Sequence, residues 1–174
     1  NDLTGGRRWP FAVLVENQWW PGFTFTDPEL TRYLLDGIRH PDKGLLLDTG
    51  HLMNTNPALN SEADALAYLH RMLDHQADLI PSIRGIHLHQ SLSGDYVLSS
   101  TGQMPEGLHP DYLQRYAQTY PHILQIDRHE PWTHPGIREL IARIDPEWLT
   151  HELSAPWPDP RFNALAVQNH ALGR

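Results

Sequence analysis

The chain has 174 residues, of which 40% are hydrophobic, and its formal net charge is -8 with only 13 Lys and Arg residues. A chain of this length forms one domain with a packed core, and its acidic balance counts against a nucleic-acid backbone as a partner. Disulfides are excluded because there is no cysteine, and no apolar run reaches the ~20 residues of a membrane span. The first residues do not resemble a signal peptide. We therefore expect a cytoplasmic protein with a single domain over residues 1–174.

Five short segments, most of them apolar, each run into a residue type that binds metals. Such runs predict buried strands when turn signals bound them. The segments are 11–15 before Glu16, 44–47 before Asp48, 85–86 before His87, 123–126 before Asp127, and 148–151 before Glu152. We expect four strands, with 123–126 as an additional fifth.

Helical patterns lie between these segments. Asp27 followed by Pro28 is typical of a helix start, with a capping residue and then proline at the first position. Further helices are predicted after Asn60-Ser61, over 110–119, from Pro135, and after a proline-rich loop that contains Pro156, Pro158 and Pro160; 91–107 is expected to be a polar loop. Strands that alternate with helices predict an α/β fold with a parallel sheet.

The polar residues at the strand ends should converge, because the carboxyl ends of parallel strands share one edge, where α/β barrels carry their active sites. Carboxylates and imidazoles are ligands that Zn²⁺, Mn²⁺, Co²⁺ and Fe²⁺ share. This pattern predicts a metal-dependent enzyme. We expect His89 to point away from His87 and to be structural. We expect surface positions for His40, His70, His75, His122 and His170.

Aromatic residues are concentrated in one loop after Glu16. Two interpretations stay open for this loop: a lid that stacks on a sugar, or packing over the end of the sheet. The aromatic residues of the loop are Trp19, Trp20, Phe23 and Phe25. Trp132 and Trp157 on later loops have the same two interpretations.

The motifs resemble those of a known superfamily. Asp48-Thr-Gly-His51, preceded by three leucines, resembles a strand signature of the xylose isomerase-like TIM barrels. The glutamate strand ending at Glu16, the histidine strand at His87 and the late glutamate strand at Glu152 follow in that superfamily's order. The resemblance spans roughly residues 11–155. The superfamily includes sugar isomerases and epimerases, and metal-dependent DNA-repair enzymes of the endonuclease IV type.

This resemblance implies a site and a reaction. A divalent ion (Mn, Co, Mg, Zn or Fe) would be held by Glu16, Asp48, His87 and Glu152. The substrate would be a small sugar or sugar phosphate, isomerised or epimerised by proton transfer through a metal-stabilised enediolate. Glu16 and Glu152 would form the acid/base pair, and His51 would lie beside the ligands, where it touches the substrate or a second metal.

A second branch of the superfamily gives an alternative function. Asp127-Arg128-His129 resembles the Asp-x-His pair that holds an additional zinc in endonuclease IV-type enzymes. With His51, this adds three positions to the ligand set. The glycine-rich stretch expected after the pair is absent, and the acidic balance counts against a DNA groove. A metal-dependent phosphoesterase is therefore the second hypothesis, and a non-catalytic metal-binding remnant of a barrel is the third.

The length of the chain bears on the fold that the resemblance implies. A complete barrel takes ~250 residues and eight strand–helix units, so the resemblance implies a partial TIM barrel, the C-terminal portion with the later strands and helices. An open half barrel would expose two strand edges. We expect either a missing N-terminal half or a homo-oligomer to cover them.

Overall fold

The structure, a computed structural model, describes residues 9–100, 102, 106–154 and 160–174. The described strands are β1 (Val13–Glu16), β2 (Lys43–Asp48), β3 (Ile83–Leu88) and β4 (Trp148–His151). The described helices are α1 (Pro28–Gly37), α2 (Thr49–Asn54), α3 (Glu62–Gln76), α4 (Gly94–Ser99), α5 (Tyr112–Ile126), α6 (Ile137–Ile144) and α7 (Pro160–Leu172), with a 3₁₀ helix at Ala77–Ser82. Trp157, Pro156 and Pro158 lie outside the described residues.

The four strands form one parallel sheet in the order β1-β2-β3-β4. The α/β class and four of the predicted strands are confirmed. The register pairs Glu16 with Leu46, and Asp48 with His87. The end of β1 is therefore level with Leu46, two residues before the end of β2, whereas Asp48 and His87 are level with each other.

The helix starts follow from local capping. Asp27 Oδ1 accepts hydrogen bonds from the backbone N–H groups of Glu29 (2.9 Å) and Leu30 (3.2 Å) at the start of α1. Ser61 Oγ accepts one from Asp64 N (3.1 Å) at the start of α3. Both caps satisfy backbone donors that have no partner inside the helix, which confirms the two predicted starts.

One face of the sheet is covered by helices. Leu45 and Leu47 of β2, and Ile86 of β3, are fully buried in a core with residues of α3 and α6. Full burial stabilises a side chain of this size by about 1.5–3 kcal/mol. This packing fixes the orientation of the strands, and with it the positions of the residues at their ends.

The opposite face of the sheet is more open and carries the strand-end polar residues. A Cβ on Gly85 would lie 2.6 Å from Leu46 Cδ1 and 3.3 Å from Leu14 Cδ1, so these three residues share that face. Leu14 and Leu46 are only half-buried, and Trp148, paired with Gly85, is 47% exposed. Glu16, Asp48 and His87 lie two residues further along on the same face.

The fifth predicted strand is wrong. Residues 123–126 are the last turn of α5, which continues through Pro121 and ends with a hydrogen bond from Asp127 N to Ile123 O (2.8 Å). A run of four residues cannot distinguish a strand from one helical turn. The helix predicted over 110–119 is therefore longer than expected, and Asp127 follows a helix rather than a strand.

Smaller differences concern loops and one histidine. The helix predicted from Pro135 begins at Ile137, and the predicted loop 91–107 includes α4. His40 is buried, contrary to expectation, because its two ring nitrogens bond to Trp9 N (3.3 Å) and Asp42 O (2.8 Å). Exposed positions are confirmed for His75, His122 and His170, whereas His70 is half-buried. Among the described helices, none has the length and apolar character needed to cross a membrane.

Candidate metal centre

Four side chains from the four strands meet at the C-terminal end of the sheet. Glu16 is the last residue of β1, and Asp48 is the last residue of β2. His87 is the second-last residue of β3, and Glu152 directly follows β4. One donor atom from each of the four lies within 4.8 Å of the donors of the others. His87 Nδ1 is 2.8 Å from Glu152 Oε2, 3.2 Å from Glu16 Oε1 and 3.7 Å from Asp48 Oδ2. These are the four residues that the resemblance assigns as ligands of one ion.

Asp48 is held in place from several sides. Its Oδ1 accepts a hydrogen bond from His51 N (2.7 Å), so the residue that ends β2 also caps α2. Asn17, fully buried after β1, donates from Nδ2 to Asp48 O (3.0 Å) and accepts from Asp48 N (2.8 Å). Sequence reasoning missed Asn17, and its position directly after a ligand was the available signal.

His51 lies in the first turn of α2, beside the four ligands. Its Nδ1 is 2.8 Å from the carbonyl oxygen of Asn17, so Nδ1 carries a proton and donates it. Its Nε2 faces Asp127 Oδ2 at 3.2 Å. The ring of Trp19 packs 4.7 Å away, between centroids. This part of the aromatic loop therefore covers the centre, whereas Phe25 and Trp132 are fully buried and belong to the packing.

Asp127 and His129 lie on the other side of His51. Asp127 is buried at the C-terminus of α5, and its Oδ2 is 3.3 Å from His129 Nε2. Ser91 Oγ donates to Asp127 Oδ1 at 3.2 Å. His129 Nε2 also lies 3.6 Å from Glu152 Oε1. The seven residues that the sequence singled out thus form one continuous cluster.

His89 also belongs to the cluster, so the expectation that it points away is wrong. Residues i and i+2 of a strand point to the same face, so a residue directly after the end of β3 at Leu88 is expected on the side of His87 and not opposite it. Thr49 Oγ1 and Trp132 Nε1 donate to the His89 carbonyl at 2.6 Å and 2.9 Å and fix the backbone there. The His89 ring stacks on His129, with centroids 4.3 Å apart, and its Nε2 is 3.0 Å from Asp48 Oδ1.

Gly50 provides the space for the His89 ring. A Cβ at position 50 would lie 2.0 Å from His89 Cε1, a separation that no side chain can adopt. The glycine of the Asp48-Thr-Gly-His51 segment is therefore needed for close approach. This glycine was the signal that could have identified a buried partner for the segment.

The electrostatics of the metal-free cluster favour bound protons. The carboxylates of Glu152 and Glu16 raise the pKa of His87 to about 10, against an opposing effect of burial. Burial lowers the pKa of His51, but the hydrogen bond with Asp127 and the charge of Asp48 outweigh it and raise this pKa to about 9. The histidines His129 and His87 hold the pKa of the Glu152 carboxyl below its usual range. Positive charge on His87 and His51 is thus stabilised.

Solvent access divides the carboxylates into two kinds. The Glu16 and Glu152 side chains are 30% and 39% exposed, whereas those of Asp48 and Asp127 are 0% and 4% exposed. A bound molecule can reach the first pair only. The buried pair can ligate or orient other groups but cannot exchange protons directly with a substrate.

Comparisons with models of protein families, with curated proteins and with solved structures found no match to this chain. Inference about function therefore depends on the residues and geometry of the cluster.

Proposed function

We propose that the protein is a divalent-metal-dependent isomerase or epimerase of a sugar or sugar phosphate. The observation that carries the proposal is the convergence of Glu16, Asp48, His87 and Glu152 within 4.8 Å at the end of a parallel sheet. Three carboxylates and one imidazole suit Mn²⁺, Co²⁺, Zn²⁺ or Fe²⁺, and Mg²⁺ also accepts carboxylates.

The residues present fit such an ion. Buried carboxylates are costly unless they are paired or ligate a metal, and Asp48 is completely buried beside two further acids. A bound divalent ion would supply positive charge that stabilises negative charge on substrate oxygens. Asn17 and the start of α2 hold Asp48, so the ligand is oriented before any ion binds.

Glu16 and Glu152 suit proton transfer. Glu16 is the last residue of β1 and Glu152 directly follows β4, the two outer strands of the sheet, so the two carboxylates flank the centre from opposite sides. Both are partly exposed. One carboxylate takes a proton from a substrate carbon next to a carbonyl group, and the other returns it.

The sheet itself is proposed to be half of an eight-stranded barrel. Four parallel strands lie in chain order, with the centre at their C-terminal ends, as in TIM barrels. Leu14 and Leu46 are half-buried on the face without helices, and Trp148 is exposed there, which leaves room for further strands. A longer chain or a second copy would supply them, and light scattering distinguishes a dimer from a monomer.

The reaction is tested by proton exchange with solvent. In heavy water, turnover of a sugar substrate should introduce deuterium at the carbon next to the carbonyl group, detected by NMR over a panel of sugars and sugar phosphates. Glu152→Gln should abolish this exchange, because an amide cannot accept the proton. Glu139→Gln, the same change on an exposed turn of α6, should leave it unchanged.

Two results would contradict this function. The metal centre would be excluded if protein purified without chelator contained no divalent metal and its melting temperature did not change when metal was added. Metal that binds to the folded state should raise stability. Metal binding without exchange on any sugar would favour a non-catalytic metal-binding domain.

A metal-dependent phosphoesterase is the second candidate. The observation that favours it is the position of Asp127, whose Oδ2 lies 3.2 Å from His51 Nε2 and 3.3 Å from His129 Nε2. An extra ligand group beside the first centre is typical of enzymes that hold a phosphate between ions. Hydrolysis of abasic-site DNA or of a simple phosphodiester, without deuterium exchange into sugars, would establish this candidate over the isomerase.

A further inference from the structure

We infer that a second divalent ion binds beside the first, held by His89, His129 and Glu152, with Glu152 shared between the two ions. This inference rests on the proposed first ion and extends it. Donor atoms of the three residues lie within 4.8 Å of one another. His89 was expected to be structural, and the ligand set that the resemblance implies does not include it.

The hydrogen bonds of His89 leave one ring nitrogen free to ligate. Its Nε2 lies 3.0 Å from Asp48 Oδ1, a carboxylate oxygen that can only accept, so Nε2 carries the proton. Nδ1 is then a bare lone pair. The ring is 0% exposed, and within the described part of the chain Nδ1 has no hydrogen-bond partner. Histidines that bind metals characteristically donate their other N–H to a carboxylate in this way.

His129 is prepared in the same manner. Its Nδ1 lies 3.1 Å from the carbonyl oxygen of Asp127 and donates to it, so Nε2 is the nitrogen oriented to ligate an ion. Nε2 lies 3.6 Å from Glu152 Oε1 and 3.3 Å from Asp127 Oδ2. Donors around a tetrahedral zinc, at bond lengths of about 2.0–2.1 Å, lie about 3.4 Å apart. The observed spacing matches that of ligands around one ion.

Glu152 is the residue common to both groups. Its Oε2 lies 2.8 Å from His87 Nδ1, in the first centre, yet this buried oxygen has no well-aligned hydrogen bond. Its Oε1 faces His129. Two donor groups that approach closely without bonding to each other are oriented toward a common third partner. A carboxylate with one oxygen toward each group is suited to bridge two ions.

His51 is a weaker ligand for this second ion than His89. Both of its ring nitrogens already have partners, Nδ1 with the Asn17 carbonyl oxygen and Nε2 with Asp127. Its role is to orient Asp127, whose Oδ1 lies 3.8 Å from His89 Nδ1. Asp127 therefore completes the surroundings of the second ion.

The charge of the cluster supports two ions rather than one. Its four carboxylates, Glu16, Asp48, Asp127 and Glu152, carry a charge of -4, and His51, whose two ring nitrogens both face acceptor oxygens, adds +1. With the three ligand imidazoles neutral, one divalent ion leaves -1, and two leave +1. A centre with a positive charge attracts an anionic oxygen, such as that of a phosphate group, which a residual negative charge repels.

Metal content of matched variants tests the inference. The protein is loaded with Mn²⁺, dialysed to remove free metal and measured by elemental analysis. We expect two equivalents in the wild type and one in His129→Asn. Asparagine tolerates the positive φ of 51° that His129 adopts, so the variant should keep its backbone. His75→Asn removes an exposed histidine of α3 and should retain two equivalents.

Electron paramagnetic resonance gives a second measurement. Two Mn²⁺ ions that share a carboxylate should give an exchange-coupled spectrum in the wild type, and His129→Asn and His89→Gln should show the spectrum of an isolated ion. One equivalent in the wild type, two in His129→Asn, or the loss of both from a folded His129→Asn variant would overturn the second site. No metal in the wild type would instead overturn the proposed first centre.

Discussion

Replacing Gly50 with alanine tests the packing that positions His89. The new Cβ would lie 2.0 Å from His89 Cε1 and 2.4 Å from Nδ1, whereas ordinary contacts between such atoms are about 3.5–4.0 Å. The ring cannot simply retreat, because it stacks on His129 and its Nε2 bonds to Asp48. Either the backbone of α2 or the hydrogen bond to Asp48 must give way.

The size of the effect follows from these two routes. Overpacking a buried site costs about 1–3 kcal/mol, and loss of a hydrogen bond to a charged group costs about 1.5–3 kcal/mol. We expect Gly50→Ala to lower the free energy of unfolding by about 3 kcal/mol, which combines part of each cost. In a domain of this size, that corresponds to a melting temperature about 6–12 °C lower.

Thermal and urea denaturation of the metal-free protein measure this effect, with Gly37→Ala as the matched control. No atom lies within 4 Å of a Cβ built on Gly37, at the end of α1. That change should alter stability by less than about 1 kcal/mol and should favour the folded state. If Gly50→Ala and Gly37→Ala had the same melting temperature, the His89 ring would not lie against Gly50. The second ion would then lose its geometric basis.

Three further predictions concern protons and packing. At pH 7.5 the metal-free protein holds protons on His51 and His87, whose pKa values are about 9 and about 10. Metal binding should release the proton of His87, because this ring must lose it to bind the ion; calorimetry in buffers of different ionisation enthalpy would detect the release, and equal heats would contradict it. Since both values exceed the ordinary 6.5, their contribution to metal-free stability is complete below pH 6.5 and is lost as pH rises through 9 and 10. Urea denaturation with chelator should show this decline, and a flat profile would refute it. Gln168→Leu should destabilise the fold by about 2–4 kcal/mol, because it leaves the buried Trp132 N–H and the Leu88 carbonyl without this partner; a loss of stability below about 1 kcal/mol would contradict those bonds.

The parts of the fold that could be predicted were those specified locally. The strands that carry Glu16, Asp48 and His87 are short apolar runs ending in polar residues, and parallel strands bring such ends together. Caps such as Asp27 identified helix starts, because the hydrogen bond spans only two or three residues. The strand predicted over 123–126 was wrong, because a run of four residues fits one helical turn as well as a strand.

The parts that could not be predicted depend on distant contacts. The backbone of His89 is held by Thr49 and Trp132, far away in the chain, which donate hydrogen bonds to its carbonyl oxygen. Asn17 and Gln168 are buried polar residues whose partners lie 17 or more positions away. A single sequence contains no periodic pattern for such contacts, so these residues were not identified.

The position of Asp48 has a consequence for how the centre tolerates change. Its carboxylate takes part in three tasks at once: it faces His87 of the first centre, caps α2 through His51 N, and bonds the His89 ring. A glutamate at this position would extend the carboxylate by one methylene group and could not keep all three contacts. Among the described residues, Glu16 and Glu152 cap no helix, so a change to aspartate shortens their reach without removing a cap. The two kinds of acid therefore differ in how well they tolerate substitution. At Asp48, even a change to glutamate disturbs the cap of α2, the proposed metal ligation and the bond to the His89 ring together.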